Sequence, residues 1–131
     1  FFNNETSIEI LDIHHKHKKD APSGTALALG NAIAREKNML LKKLSDEKPN
    51  KKRKKQIGKI NFFCKRQGNI VGEHSIIFTN KGEKIEIKHK GFNRSIYAMG
   101  AIKAGVWLHN QNKKKGFYKM FDILGISWFM Y

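Results

Sequence analysis

The feature that most constrains this chain is a strand pattern running directly into a cationic turn and then into a capped helix. Ser7-Ile8-Glu9-Ile10-Leu11-Asp12-Ile13 alternates polar and apolar residues, the period of a half-buried strand. His14-His15-Lys16-His17-Lys18-Lys19-Asp20 follows at once, then Ala21-Pro22-Ser23-Gly24-Thr25. Pro22 biases Ala21 away from helix, and Ser23 or Thr25 can cap what comes next. From Ala26 to about Lys37 the residues Ala26, Leu29, Gly30, Ala32 and Ile33 recur at helical spacing, which predicts a helix there. A strand end leading into a helix N-terminus is where sheet proteins tend to bind ligands.

Beyond that helix, Leu41 to Lys55 is polar and lysine-rich without clear period. It contains Pro49 and the run Lys51-Lys52-Arg53-Lys54-Lys55, and reads as a solvated loop. Ile57 to Lys65 and Ile70 to Thr79 are rich in β-branched and aromatic residues, and Gln67-Gly68-Asn69 predicts a hairpin joining them. Asn80-Lys81-Gly82-Glu83 is a second turn, and Lys84 to His89 alternates as a further strand. Ser95 to about Asn110 returns to helical spacing through Ala98, Met99, Ile102 and Val106. A short apolar segment, Phe117 to Ile126, and an aromatic tail, Ser127 to Tyr131, follow. No internal repeat is visible. The order predicts an α+β fold: a mixed, mainly antiparallel sheet with flanking helices.

Composition narrows the function classes. At 131 residues the chain is about one domain's worth, with 40% hydrophobic residues to build a core. No stretch approaches the ~20 apolar residues of a bilayer-spanning helix, and Phe1-Phe2-Asn3-Asn4-Glu5 lacks the pattern of a secretory signal. The single Cys64 excludes a disulfide within the chain and a multi-cysteine zinc site, and fits a reducing cytoplasm. Its setting, Phe62-Phe63-Cys64-Lys65, reads as structural. The net charge of +15 raises the prospect of polyanion binding, yet only Arg35, Arg53, Arg66 and Arg94 are arginines, the residue favoured for bidentate phosphate and base contacts. Lysine this dominant is equally what a compositional bias on exposed positions produces. None of the eleven glycines forms G-x-G-x-x-G or a P-loop.

The segment His14 to Thr25 holds more polar chemistry than a turn needs. The backbone N–H groups of Gly24, Thr25 and the next residue lack partners within a helix that starts there, and the helix dipole adds positive potential. Gly24 permits close approach and the Thr25 hydroxyl adds a donor, so a small carboxylate is a natural guest. Histidine shuttles protons near neutral pH. A lysine among cations gives up its proton more readily, which makes Lys18 a candidate general acid. The same residues also read as a solvated basic turn, and the cap as purely structural. A metal is disfavoured, because there is no H-E-x-x-H and the surrounding cations oppose a divalent ion.

The block His14-His15-Lys16-His17-Lys18-Lys19-Asp20-Ala21-Pro22-Ser23-Gly24-Thr25-Ala26 resembles the signature of the dihydrodipicolinate (4-hydroxy-tetrahydrodipicolinate) reductase family, of the diaminopimelate route to lysine. Gly68-Asn69-Ile70-Val71-Gly72-Glu73-His74 is similar to the family's glycine-acid-Ile-Val-Gly-Glu-His hairpin, with Asn69 in place of the acid. Glu86-Ile87-Lys88-His89, then Arg94, Ala98, Gly100-Ala101, Ala104 and Trp107, follows its strand-then-helix pattern, and Phe117 to Gly125 resembles its C-terminal segment. The resemblance implies His14 as proton donor/acceptor, Lys18 as proton donor, and His15, Gly24 and Thr25 as ligands of a dicarboxylate substrate. It implies hydride transfer from NADPH or NADH, and a homotetramer built through the sheet.

The family's N-terminal dinucleotide-binding domain has no counterpart in these residues. The expectation is therefore a substrate-binding and tetramerisation domain over residues 1–93, with residues 94–131 as the helical segment that packs on a cofactor domain. Such a chain binds a small dicarboxylate without turning it over alone. The competing readings are a non-catalytic oligomerisation fragment and a basic nucleic-acid-binding module.

Overall fold

In the computed structural model, which describes residues 5–45, 57–111 and 115–126, the alternating stretch becomes strand β1 (Ser7–His14) and the helix after it α1 (Gly24–Glu36). A one-turn helix α2 (Leu41–Leu44) comes next, where the sequence reads as loop. Strands β2 (Ile60–Arg66), β3 (Gly72–Thr79) and β4 (Lys84–Gly91) follow, then helices α3 (Ser95–His109) and α4 (Met120–Ile123). The Lys51–Lys55 run and the Ser127–Tyr131 tail lie outside the described residues. The chain divides into two compact units, the first ending at Phe92 and the second beginning at Asn93.

The sheet order is β2-β1-β3-β4, with β1 parallel to β2 and antiparallel to β3, and β3 antiparallel to β4. The fold class expected from the sequence is therefore the one observed. The expected hairpin between the second and third strand segments does not form, because β1 occupies the slot between β2 and β3. Turn residues specify only local chain reversal; which strand fills the gap is decided by burial far along the sequence. Gln67-Gly68 instead crosses the end of β1. The Gln67 N–H donates to the His14 carbonyl at 2.9 Å, and the Lys16 N–H donates to the Gly68 carbonyl at 3.1 Å. Gly68 sits at φ +52°, a conformation that this crossing requires and that side chains disfavour. The β3–β4 connection at Asn80–Glu83 is a hairpin, as its turn residues predict.

Successive residues of a strand face opposite sides of the sheet, and in β1 the side facing the core carries Ile8, Ile10, Asp12 and His14, all buried. The register extends this face into rows across the sheet. Ile60, Ile8, Phe78 and Ile85 form one row, and Phe62, Ile10, Ile76 and Ile87 the next. Cys64, Asp12, His74 and His89 form a third. Two apolar rows thus give way to a polar one toward the C-terminal end of β1. Helices α1 and α2 cover the apolar rows as far as β3, and Ile85 and Ile87 at their β4 end stay exposed. Ala26, Ala34 and Leu44 join Ile8, Ile10, Ile60 and Phe62 in the buried core, with Leu29, Ile33, Leu41, Ile76 and Phe78 packed against it.

The α1 face against the sheet is made of small residues, Ala26, Gly30 and Ala34 at four-residue intervals, so the helix lies close over β1 and against the Phe62 side chain of β2. Gly30 marks the closest approach: a Cβ there would stand 2.8 Å from Phe62 Cζ and 3.0 Å from Leu41 Cδ1. In the second unit the Trp107 and Tyr118 rings meet edge to face with centroids 5.3 Å apart, and α3 buries none of its residues. No helix among the described residues is long and apolar enough to cross a membrane.

The fit at Gly30 makes a prediction. Gly30→Val should lose about 1–3 kcal/mol to overpacking, read as a lower denaturation midpoint, and adding Phe62→Leu should recover part of that loss. A Gly30→Val chain as stable as the parent would contradict the packing described.

Candidate active site

The polar row is organised by one fully buried carboxylate, Asp12. Its Oδ2 accepts from the backbone N–H of Ser23 at 2.7 Å and from Arg66 Nη2 at 2.9 Å. Its Oδ1 lies 2.7 Å from His14 Nδ1 and 3.6 Å from His74 Nε2. The Oδ1–Nδ1 approach is close but out of line for a hydrogen bond, and neither atom has a hydrogen-bond partner among the described residues. Catalytic hydrogen bonds are often misaligned in unliganded proteins. The Arg66 guanidinium also donates to the Asp12 carbonyl at 2.9 Å and to the Asp20 carbonyl at 2.6 Å. Asp12 and Arg66 therefore fasten the stretch that leads from the cationic segment into α1, at Asp20 and at the helix cap.

Ser23 caps α1. Its Oγ lies 3.3 Å from the Ala26 N–H, from which it accepts, and 3.1 Å from His74 Nε2. The His14 and His74 rings meet edge to face, centroids 4.9 Å apart. Lys18 Nζ is paired with Asp20 at 2.9 Å, so its ammonium meets an anion where the sequence suggested crowding by cations alone. His15 is half-buried, its ring centroid 6.3 Å from that of His17. Gly24 and Thr25 occupy the exposed first turn of α1, and no hydrogen bond from another described residue reaches their amides. The cavities of about 730 Å³ beside the α1–α2 turn and 390 Å³ beneath α2 are lined elsewhere; of the His14–Thr25 segment only Pro22 borders either. Fixed charges and hydrogen bonds gather these residues.

Electrostatics follow from burial. Burial by itself would push the Asp12 carboxyl up, but the hydrogen bonds from Arg66 and Ser23 outweigh it and hold the group below its ordinary 3.8. Burial pushes the His14 imidazole below 6.5; the Asp12 carboxylate opposes this, while Lys18 and Arg66 add to it. His74 is lowered for the same first reason, burial, and next by His14. The Cys64 thiol, beside Asp12 in the register, is pushed up to about 11 by burial and then by that carboxylate. It is an inert thiol rather than a nucleophile.

Asp12, His14 and His74 each bring one ligand atom within 4.8 Å of the others. Two ligands of one tetrahedral zinc stand about 3.3 Å apart, whereas Asp12 Oδ1 and His14 Nδ1 are 2.7 Å apart, the separation of a proton-bearing contact. Arg66 and Lys18 further oppose a divalent ion.

Sequence reasoning singled out His14, Lys18, His15, Gly24 and Thr25 but passed over Asp12, Arg66, His74 and a role for Ser23 beyond capping. A signal for Asp12 exists. The alternation of β1 changes phase at Ile10-Leu11, which puts Asp12 and His14 on the face of Ile8 and Ile10. A charge in register with a core face needs a partner, and Arg66 follows Phe62 and Cys64 on the inward side of β2.

The chain has counterparts among known proteins. The family model described as "Dihydrodipicolinate reductase, C-terminus" matches residues 1–124. The 4-hydroxy-tetrahydrodipicolinate reductase of Agrobacterium fabrum is 48% identical over 121 residues, covering 92% of this chain and 43% of that protein. The enzyme of the same name from Zymomonas mobilis is 43% identical over 120 residues, 91% of this chain and 46% of that protein. The chain thus spans less than half the length of these relatives. The solved structure of a dipicolinate-bound dihydrodipicolinate reductase from Paenisporosarcina sp. TG-14 superposes with a TM-score of 0.54 at 25% identity, over 73% of this chain and 37% of that one.

Two outcomes follow from the charge cluster. Arg66→Gln should cost about 3 kcal/mol, at the low end for stranding a buried charge because Arg66 keeps some solvent contact. The Asp12→Asn, Arg66→Gln double variant should lose less than the sum of the single losses, and strict additivity in urea titrations would show the two to be uncoupled. Both imidazoles bind protons less readily in the folded chain than in the unfolded one. Below 6.5 the unfolded chain therefore holds more protons, and stability present above that value is lost as pH falls through it toward the lowered folded values. The Asp12 contribution persists until the pH drops below 3.8. The unfolding midpoint should fall between about pH 7.5 and pH 5, and less steeply in His74→Gln. A midpoint that rises on acidification would contradict the burial of these rings.

Proposed function

Since the chain belongs to the family described as dihydrodipicolinate reductase, C-terminus, we propose that it is the substrate-binding and proton-transferring part of a 4-hydroxy-tetrahydrodipicolinate reductase. The observation that carries this reading is the placement of Asp12, which sets one oxygen 2.7 Å from His14 and bonds the capped start of α1 through the other. A proton-exchanging imidazole and an amide-rich helix start are thereby kept beside each other, and the carboxylates of the ligand need both cation and amide donors. The dipicolinate named for the Paenisporosarcina structure is a ligand of that chemistry.

In this reading His15 and the Gly24 and Thr25 amides, with the Thr25 hydroxyl, hold the two carboxylates. Lys18, kept near the segment by Asp20, donates a proton, and His14 takes up or returns one. The hydride of the reaction is supplied by NADPH or NADH. Among the described residues no strand-to-helix turn has the glycine pattern of a dinucleotide cradle, and the turn before α1 carries the Ser23 cap instead. Binding the cofactor therefore falls to a separate domain. Residues 1–93 would form the substrate-binding and tetramerisation domain, and residues 94–131 the helical segment that packs against the cofactor domain. The sheet face away from α1 carries Leu11, Ile13, Phe63 and Ile77, all partly exposed, which suits assembly of a homotetramer through the sheet. A cytoplasmic setting suits Cys64, a buried thiol.

Calorimetry with 2,6-pyridinedicarboxylate tests the site. The chain should bind it, and His15→Ala combined with Thr25→Ala should weaken binding by roughly 30-fold, the loss of about 2 kcal/mol of charge-assisted hydrogen bonding. No binding by the folded chain, or binding undiminished in the double variant, rejects the reading.

A further inference from the structure

Every acceptor of a buried carboxylate needs a donor, and at Asp12 the two oxygens are treated unequally. Oδ2 takes both the Ser23 amide and the Arg66 guanidinium. Oδ1 has neither; His14 Nδ1 stands against it at 2.7 Å, and His74 Nε2 is farther off at 3.6 Å. His74 Nε2 is itself engaged at 3.1 Å by the Ser23 hydroxyl, whose oxygen already accepts from the Ala26 amide. The Ser23 hydroxyl and the Cys64 thiol also stand beside the Asp12 carboxylate, but neither is hydrogen-bonded to Oδ1. The demand of Oδ1 therefore falls on His14.

We propose that Asp12 is a positioning residue that keeps the proton of neutral His14 on Nδ1, so that Nε2 is the nitrogen that exchanges a proton with the ligand. An imidazole carries its proton on the nitrogen whose hydrogen bond requires it. The proposal rests on the reading above in one respect, that His14 is the exchanging group. Arg66 is the second half of the device. By pairing with Oδ2 it keeps the carboxylate ionised and turned so that Oδ1 faces His14, and with Lys18 it disfavours a lasting imidazolium. A proton taken at Nε2 is thereby returned rather than retained. The charged and titratable groups that surround His14 are Asp12 on β1, Arg66 on β2, His74 on β3 and Lys18 in the loop, with Cys64 and His89 at the two ends of the Asp12 row.

The test reads the tautomer directly, without ligand, so its result stands whether or not a dicarboxylate binds. In the full chain with ¹⁵N-labelled histidine, long-range proton–nitrogen spectra near neutral pH should show His14 as the Nδ1–H form, with the bare-nitrogen signal at Nε2. In Asp12→Asn the amide oxygen is drawn to the two donors, Ser23 N–H and Arg66, which places the amide NH₂ against His14 Nδ1. The bare-nitrogen signal should then move from Nε2 to Nδ1. An Nε2–H form in the parent chain overturns the proposal, as does a folded Asp12→Asn chain that keeps the Nδ1–H form. The parent spectrum alone decides the matter should the variant fail to fold.

Discussion

Burying a carboxylate is costly unless every one of its lone pairs meets a donor, and Asp12 is buried completely. The chain offsets that cost by bringing three groups to one side chain, two bonded to Oδ2 and one set against Oδ1. Arg66 arrives from β2, the Ser23 amide from the start of α1, and His14 from two residues farther along the same strand. Each partner does something else as well. Arg66 ties down the carbonyl of Asp20, Ser23 caps the helix, and His14 is a candidate for proton exchange. The stretch leading into the helix is thus held at Asp20 and at the cap by one ion pair, and its conformation follows from where that pair must sit. Such a pair adds little net stability compared with apolar residues of the same volume. Its value is that the loop has one arrangement.

Local pattern carried the strand-turn-helix and the outer strands well, because alternation, helical period, caps and turn residues are short-range signals. The Ser7–Ile13 strand, the helix after Thr25, the hairpin at Asn80–Glu83 and the helix from Ser95 all lie where their residues predict. The parallel β1–β2 pairing was not legible. Gln67-Gly68-Asn69 reads as a hairpin turn, but the observed crossing over β1 depends on a core shared by Ile8, Ile60 and Phe62, which are remote in sequence. The candidate site divides in the same way. His14, Lys18 and the Gly24–Thr25 helix start come from one contiguous block. Arg66 and His74 reach them only through strand register, so a reading along the chain passes over them. Asp12 was nearer to hand, since a change of phase within a single strand reveals it.

The charge excess has a plainer place in the fold. On β4 the lysines alternate outward, and Glu73, the register partner of Lys90, stands 3.0 Å from that ammonium and 3.6 Å from Lys88. Lys84 lies 3.5 Å from Glu86 on the same strand. Exposed pairs of this kind contribute little to stability, but they show basic residues interleaved with acids along an edge strand, where charge also discourages unwanted strand pairing. That arrangement differs from the unbroken cationic stripe with arginine that nucleic-acid grooves use.

The position of the polar row explains how one sheet carries both the core and the candidate site. The helix-covered face is apolar for two rows and becomes Cys64, Asp12, His74 and His89 in the third. Burial there acts in opposite senses on acids and bases: it would raise Asp12 and it lowers His14 and His74. Without Arg66 the carboxyl would drift toward neutrality and the imidazoles would have no fixed anion to face. With Arg66 present, the anion persists to face His14, while burial first, and Lys18 and Arg66 after it, keep that ring from being held in its charged form. Orientation and basicity are thereby separated. A lone Asp–His pair cannot achieve this, because the charge that aligns the ring also raises its affinity for a second proton. The row sits one step beyond the apolar core because there the packing is tight enough to fix the side chains, and the helix start that supplies the amide donors is within reach.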